Sequence, residues 1–152
     1  MVDNNTVMHN KVCIECGARE TDGFSCYELF GFPLVWEHND PKLYEQHFWL
    51  VSSYMIQHPS NFTQEAYKRL VNLFIDAYDN NWKTPYILDK NREFAKSVSK
   101  ISNPVASNER KRELKHWYMT IEDIYLGGEQ NAITNINKWK DHIRSEINSE
   151  NI

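Results

Sequence analysis

Two cysteines, Cys13 and Cys16, are separated by two residues and followed directly by Gly17. Two thiolates at this spacing can hold one tetrahedral metal ion, and a glycine after the second allows the tight turn that directs both sulfurs inward. The third and last cysteine, Cys26, follows ten residues after Cys16. Thiolates are soft ligands that suit zinc. The sequence therefore predicts a zinc site with Cys13, Cys16 and Cys26 as ligands.

The fourth ligand is predicted to be a histidine from the second predicted helix. His47 and His58 share one face of that helix but lie about 16 Å apart along its axis, so at most one of them completes the site. The short turn 39–41 makes the first two helices antiparallel, which places the end of the second helix beside Cys26. This favours His58, and the alternatives are His47, another residue such as Glu37, or no fourth protein ligand. The default interpretation of His47 is a core histidine hydrogen-bonded to Glu37 or to a tyrosine.

A redox pair is the alternative interpretation of the C-x-x-C motif. Redox motifs of this kind follow a strand and open a helix within alternating strands and helices, and the chain shows no such alternation. Gly17 and Cys26 also favour zinc. With three thiolates and one imidazole the site has no open position for a substrate, so we expect it to be structural.

The elements that position these ligands are predicted to be helices. Three-to-four-residue apolar spacing and cap residues predict helices from Asp22 or Ser25 to about 38, 41–58, from Ser60 or Thr63 to 79, a short one near 89–99, 108–126 and 131–148. No alternating strand pattern competes with them. We therefore expect an all-α fold, a helical bundle of about five to six helices with an N-terminal zinc knuckle. The chain 1–152 is predicted to be a single helical domain, with a knuckle segment 1–21 and a helical body 22–148.

Composition and charge limit the possible functions. A chain of 152 residues with 41% hydrophobic and 13% aromatic residues can bury one real core. A net charge of -4 and the lack of clustered Lys and Arg predict no binding to generic nucleic acid. The knuckle itself balances Lys11 and Arg19 against Glu15 and Glu20.

The cellular location is predicted from the N-terminal residues, the apolar stretches and the number of cysteines. Residues 1–10 are polar and lack the apolar segment of a signal peptide, and no apolar stretch reaches the roughly 18 residues of a membrane span. An odd number of cysteines without an export signal fits metal ligands that are kept reduced. We expect a soluble, cytoplasmic protein that does not bind membranes.

Several motifs in the first 60 residues together resemble the signature of a family of small, uncharacterised bacterial proteins. These motifs are Cys13-x-x-Cys16-Gly17, Asp22-Gly23 with Cys26, Glu37, His47 and Tyr54-x-x-Gln57-His58-Pro59. The C-terminal half is only loosely similar, around Trp117 and Trp139. The resemblance implies a zinc-knuckle helical protein of bacterial type and supplies no activity. It draws attention to Tyr54 and Gln57, whose simplest roles are packing and helix capping.

The preferred function is a non-enzymatic binding or interaction module. A zinc-stapled helical domain with an aromatic surface and irregular loops in 82–108 would engage a partner protein or a small ligand. The oligomeric state is not indicated by the sequence.

The alternative function is a metal-dependent enzyme that resembles DinB-like helical bundles. His47, His116 and His142 come from three predicted helices and would converge on a catalytic metal. Such proteins usually carry two of the three histidines four residues apart on one late helix, and neither His116 nor His142 has a histidine at that spacing. Metal-free acid and base chemistry by Glu37 with His47 and Tyr54 is a further, generic option.

Overall fold

The expected all-α fold is confirmed. The structure is a computed structural model that describes residues 11–83, 85–87, 89–90, 92 and 117–147. Within these residues the β pairing consists of two isolated antiparallel bridges, Val12 with Arg19 and Thr21 with Phe24. No helix among them is long and apolar enough to cross a membrane.

Within the described residues, six α-helices have defined bounds. They are α1 (Cys26–Trp36), α2 (Pro41–Tyr44), α3 (His47–Ile56), α4 (Gln64–Asp79), α5 (Ile121–Gly127) and α6 (Ala132–Glu146). Short 3-10 turns cover Glu37–Asn39, Pro59–Asn61 and Glu129–Asn131. The described residues of 85–92 are also helical, whereas most of the predicted short helix near 89–99 lies outside the described residues.

Side-chain caps explain where three of the helices begin. Ser25 accepts a hydrogen bond from the backbone N–H of Glu28, and the Glu28 carboxylate accepts one from the N–H of Ser25. Thr120 caps α5 in the same way, whereas Thr63 caps α4 through one bond, which its side chain accepts from the N–H of Ala66. Each cap satisfies backbone donors that the first turn of a helix leaves unpaired. The first predicted helix was expected to start at Asp22 or Ser25 and the third at Ser60 or Thr63. In the structure the cap residues are Ser25 and Thr63.

The second predicted helix is wrong as a single element, because Glu45 and Gln46 separate α2 from α3. Leu43 and Phe48 are both buried, at 1% and 8% exposure, whereas Tyr44 is 52% exposed. Positions five residues apart point about 140° away from each other on a continuous helix. The break allows both Leu43 and Phe48 to enter the core, while Tyr44 stays at the surface.

The fifth predicted helix is also wrong in its start. Residues 117–120 are not helical, and α5 begins at Ile121 after the Thr120 cap. Positions 108–116 of that prediction lie outside the described residues. The sixth predicted helix is confirmed with slightly shorter bounds.

The helices pack around one continuous core. Helix α1 lies against α5, α3 lies against both α4 and α6, and α5 lies against α6. Fully buried side chains from these helices form the centre, among them Leu29, Leu50, Phe74, Ile121 and Trp139. This packing fixes the start of α1 and the end of α3, the two places that carry Cys26 and His58.

Candidate metal centre

The knuckle is a short chain reversal closed by backbone hydrogen bonds. The N–H of Cys13 donates to the carbonyl of Ala18 at 2.8 Å, and the N–H of Gly17 donates to the carbonyl of Cys13 at 2.9 Å. Gly17 has a φ of 86°, in the left-handed region that favours glycine. The turn expected after Cys16 is therefore present, and it directs Cys13 and Cys16 toward the helices.

Four potential ligands converge at one point. One ligand atom from each of Cys13, Cys16, Cys26 and His58 lies within 4.8 Å of the other three. The Sγ atoms of Cys16 and Cys26 are 3.5 Å apart, and His58 Nε2 is 3.2 Å from Cys26 Sγ and 3.6 Å from Cys13 Sγ. A tetrahedral ion with metal–sulfur bonds near 2.3 Å requires about 3.8 Å between sulfurs and about 3.5 Å between sulfur and nitrogen. The group could therefore hold one metal ion.

His58 is oriented for this role by a backbone carbonyl. Its Nδ1 lies 2.6 Å from the carbonyl oxygen of Tyr54, and because a carbonyl only accepts, Nδ1 carries the hydrogen. In the neutral imidazole, which is the form that binds a metal ion, the Nε2 lone pair is then directed at the sulfurs. The ring is 5% exposed and stacks on the Tyr54 ring with centroids 4.1 Å apart. A histidine ligand is commonly fixed by such a bond at its other nitrogen.

Two of the sulfurs also have hydrogen-bond partners outside the ligand group. The N–H of Ala18 donates to Cys16 Sγ at 3.3 Å, and the Tyr54 hydroxyl lies 3.4 Å from Cys26 Sγ. Cys16 is buried, while Cys13 and Cys26 are half-buried. All three cysteines are free, and no disulfide links them.

The close approach of the four potential ligands shifts the pKa values of several of them when no ion is bound. Burial opposes protonation of His58, but its hydrogen bonds with Cys13 and Cys26 raise its pKa to about 10. Hydrogen bonds from Cys16 and Cys26 lower the pKa of Cys13, and hydrogen bonds with Cys13 and Cys26 raise the pKa of Cys16. A thiolate at Cys13 therefore faces a protonated His58. Metal binding replaces these protons with a cation.

The knuckle also contacts the helical body directly. The Glu122 carboxylate of α5 accepts the backbone N–H of Arg19 at 2.9 Å and its guanidinium at 2.7 and 3.0 Å. The Glu15 carboxylate accepts the backbone N–H of Ser60 at 3.0 Å and also the Ser60 hydroxyl. Sequence reasoning missed both contacts, because the partners are far apart in the chain.

Gln57 links the end of α3 to the segment before α5. Its side chain is fully buried, and its amide nitrogen donates to the carbonyl of Met119 at 2.8 Å. Its amide oxygen has no hydrogen-bond partner among the described residues. The bond spans 62 residues, so the Gln57 side chain joins two segments, while the backbone N–H of Gln57 forms the C-cap of α3.

His47 belongs to a separate pair. Its Nδ1 lies 2.5 Å from Glu37 Oε1, which confirms the predicted hydrogen bond to Glu37. The His47 side chain is 37% exposed, so it is not the core histidine that was expected. Glu37 is buried, its second oxygen has no hydrogen-bond partner in the described part of the chain, and burial raises its pKa against the opposing effect of His47.

The histidines of the enzyme hypothesis do not form a metal group where the structure describes them. His116 lies outside the described residues. The His142 ring packs against the Tyr118 ring, with the ring centroids 4.2 Å apart. Among the residues that are described, the group of three or more His, Cys, Asp or Glu that could hold an ion consists of the three cysteines and His58.

The fold and the site define an all-α protein with an N-terminal Cys3His group that could bind a metal ion. Residues 11–148 match the profile described as Family of unknown function (DUF5946), and because the match covers most of the chain, the protein belongs to this family. The assignment agrees with the resemblance to an uncharacterised family. No curated protein and no solved structure is significantly similar to the chain.

Proposed function

We propose that this protein is a zinc-stabilised helical module that binds a partner protein or a small ligand and does not catalyse a reaction at its metal. One zinc ion is held by Cys13, Cys16, Cys26 and His58. The observation that carries the proposal is the convergence of these four ligand atoms within 4.8 Å, although the residues come from the knuckle, from α1 and from the end of α3.

The donor set supports zinc among the common metals. Three sulfurs and one imidazole nitrogen are the ligands of structural zinc, which takes a tetrahedral arrangement and has no redox chemistry. Hard cations such as magnesium and calcium prefer oxygen ligands. Three free thiols persist as ligands in a reducing compartment, which supports a cytoplasmic location.

The arrangement supports a structural role. Four protein ligands fill a tetrahedral shell and leave no position for a substrate or an activated water. Cys26 is the first residue of α1 and His58 follows α3, so an ion here would cross-link two helices and the knuckle. Its binding energy would then be part of the folding energy.

Exposed apolar side chains near the ligands support a binding role. Ile14, between the two knuckle cysteines, is 73% exposed, and Tyr27, directly after Cys26, is 76% exposed. Large exposed apolar groups mark interaction surfaces more often when they lie together than when they are scattered. Each of them is adjacent in sequence to ligands of the same site, Ile14 to the knuckle cysteines and Tyr27 to Cys26.

Metal analysis of the purified protein tests the proposal. We expect one zinc per chain, loss of zinc in Cys13→Ser and in His58→Ala, and retention of zinc in the control His47→Ala. Protein without bound metal, or a disulfide between Cys13 and Cys16 under reducing conditions that preserve thiols elsewhere, would contradict it. A second metal bound by histidines would favour the enzyme hypothesis.

A further inference from the structure

Tyr54 contacts the ligand group through both its backbone and its side chain. Its carbonyl accepts the Nδ1–H of His58, and its hydroxyl lies 3.4 Å from Cys26 Sγ. The side chain is 6% exposed, and among the described residues the sulfur of Cys26 is the hydrogen-bond partner of the hydroxyl. A buried hydroxyl is costly without a partner, so this contact with sulfur needs a physical explanation.

The aromatic ring of Tyr54 is held between two other rings. Phe30 stacks on one face with centroids 4.0 Å apart and an interplanar angle of 3°, and His58 stacks at 4.1 Å and 28°. A phenylalanine would fill the same stack without burying a hydroxyl. Packing therefore explains why an aromatic ring occupies position 54. It does not explain the hydroxyl, whose role must involve the Cys26 sulfur.

Charge supplies that explanation. Three thiolates around a divalent ion leave one net negative charge on a largely buried centre, and a buried anion is stabilised by hydrogen-bond donors. The N–H of Ala18 serves Cys16 in this way. A metal-bound thiolate has no hydrogen to give, so at Cys26 the phenol must be the donor.

We propose that Tyr54 is a positioning residue of the metal centre, whose hydroxyl donates to the Cys26 thiolate. This inference rests on the proposed zinc site and goes beyond it. The bond strengthens retention of the metal and lowers the reactivity of a half-exposed sulfur toward soft electrophiles. Loss of such an outer contact typically weakens metal binding by about 10- to 100-fold.

Tyr54→Phe tests the proposal, with Tyr67→Phe as a matched control. Tyr67 is also 6% exposed, and its hydroxyl donates to the carbonyl of Ile56 at 2.6 Å, so both variants lose a hydrogen bond of a buried hydroxyl. Competition with a chelator gives the zinc dissociation constant of the full-length protein. We expect it to rise at least about tenfold in Tyr54→Phe and to stay unchanged in Tyr67→Phe.

Two further readouts separate positioning from general stability. In the cobalt(II)-loaded protein the sulfur-to-metal charge-transfer band should shift in Tyr54→Phe alone. Alkylation of Cys26 by iodoacetamide, followed by peptide mapping, should be faster in that variant than in the wild type. The inference is overturned if Tyr54→Phe binds zinc as the wild type does, or if both variants weaken binding equally.

The same measurements keep this inference distinct from the proposed function. A wild-type protein that binds neither zinc nor cobalt would overturn both. A wild type that binds them tightly, with an unaltered Tyr54→Phe variant, would overturn the role of Tyr54 and leave the zinc site standing.

Discussion

Arg19 in the knuckle and Glu122 in the first turn of α5 form a two-sided contact across 103 residues of sequence. One carboxylate oxygen accepts the backbone N–H of Arg19 at 2.9 Å, and the other accepts its guanidinium at 2.7 Å. Charge-assisted bonds of this forked kind fix geometry as well as adding energy. The knuckle therefore has an anchor on the helical body that does not depend on a metal ion.

Glu122→Ala should loosen the knuckle without removing the metal ligands. The Arg19 guanidinium is exposed, so the loss of its ion pair should contribute little to the change in stability. Most of the change should come from removal of the buried Glu122 carboxylate, which leaves the backbone N–H of Arg19 without its acceptor. We expect a lower urea midpoint and faster zinc release to a chelator, with unchanged zinc stoichiometry.

Glu65→Ala is the control for this effect. Glu65 pairs with Arg69 on the surface of α4, and both side chains are largely exposed. Surface pairs of this kind contribute little. Equal losses in Glu65→Ala and Glu122→Ala would show that the contact with the knuckle has no special role.

Removal of the metal should lower stability by an amount set by its affinity. A ligand at a thousand times its dissociation constant stabilises the folded state by about 4 kcal/mol. For a chain of this size that corresponds to a fall in Tm of about 8–16 °C on addition of a strong chelator. Differential scanning calorimetry of the wild type with and without chelator measures the fall, and Cys16→Ser should be insensitive to the chelator. A wild-type Tm that does not change would contradict a structural zinc.

Zinc binding should release at least two protons near neutral pH. His58, whose pKa is raised to about 10, carries one of them, and Cys16, whose pKa is also raised, carries another. Because zinc competes with these protons, its affinity should weaken by about a hundredfold for each unit that the pH falls. Calorimetric titrations in two buffers of different ionisation enthalpy count the protons. Binding heats that do not depend on the buffer would rule this out.

The sequence was sufficient for the parts of the site that depend on local spacing. Cys13, Cys16 and Gly17 predict a turn because their roles are set within five residues. His58 was preferred over His47 on the premise that the turn 39–41 joins two antiparallel helices. The structure places His58 with the cysteines and His47 with Glu37, although the second of those helices is interrupted at Glu45 and Gln46.

Other features depend on contacts that no local pattern records. The break after α2 exists because Leu43 and Phe48 both reach the core, and the contact between Arg19 and Glu122 joins distant segments. The start of α5 could have been predicted, because Thr120 and Asp123 form a capping box whose spacing is visible in the sequence. The i, i+4 spacing of Tyr54 and His58 was a similar signal for their stacking.

Glu37→Gln should change how stability depends on pH. The Glu37 side chain is 6% exposed, and its burial raises its pKa above the ordinary value of 4.5, although His47 and His38 act in the opposite direction. A carboxyl whose pKa is higher in the folded state contributes stability that is complete below its unfolded pKa and is lost as the pH rises through its folded pKa. The glutamine amide still accepts the Nδ1–H of His47 and does not titrate.

The free energy of unfolding of Glu37→Gln, relative to that of the wild type, should therefore increase as the pH rises from below the ordinary carboxyl pKa to neutrality. Urea denaturation of both proteins at several pH values, with zinc held at the same concentration, measures this difference. Any effect of pH on zinc binding is common to both proteins and cancels, because Glu37 is outside the ligand group. A difference that is constant with pH would mean that the Glu37 carboxyl titrates alike in the folded and unfolded chains. A difference that falls with rising pH would mean that the bond to His47 outweighs the cost of burying the charge.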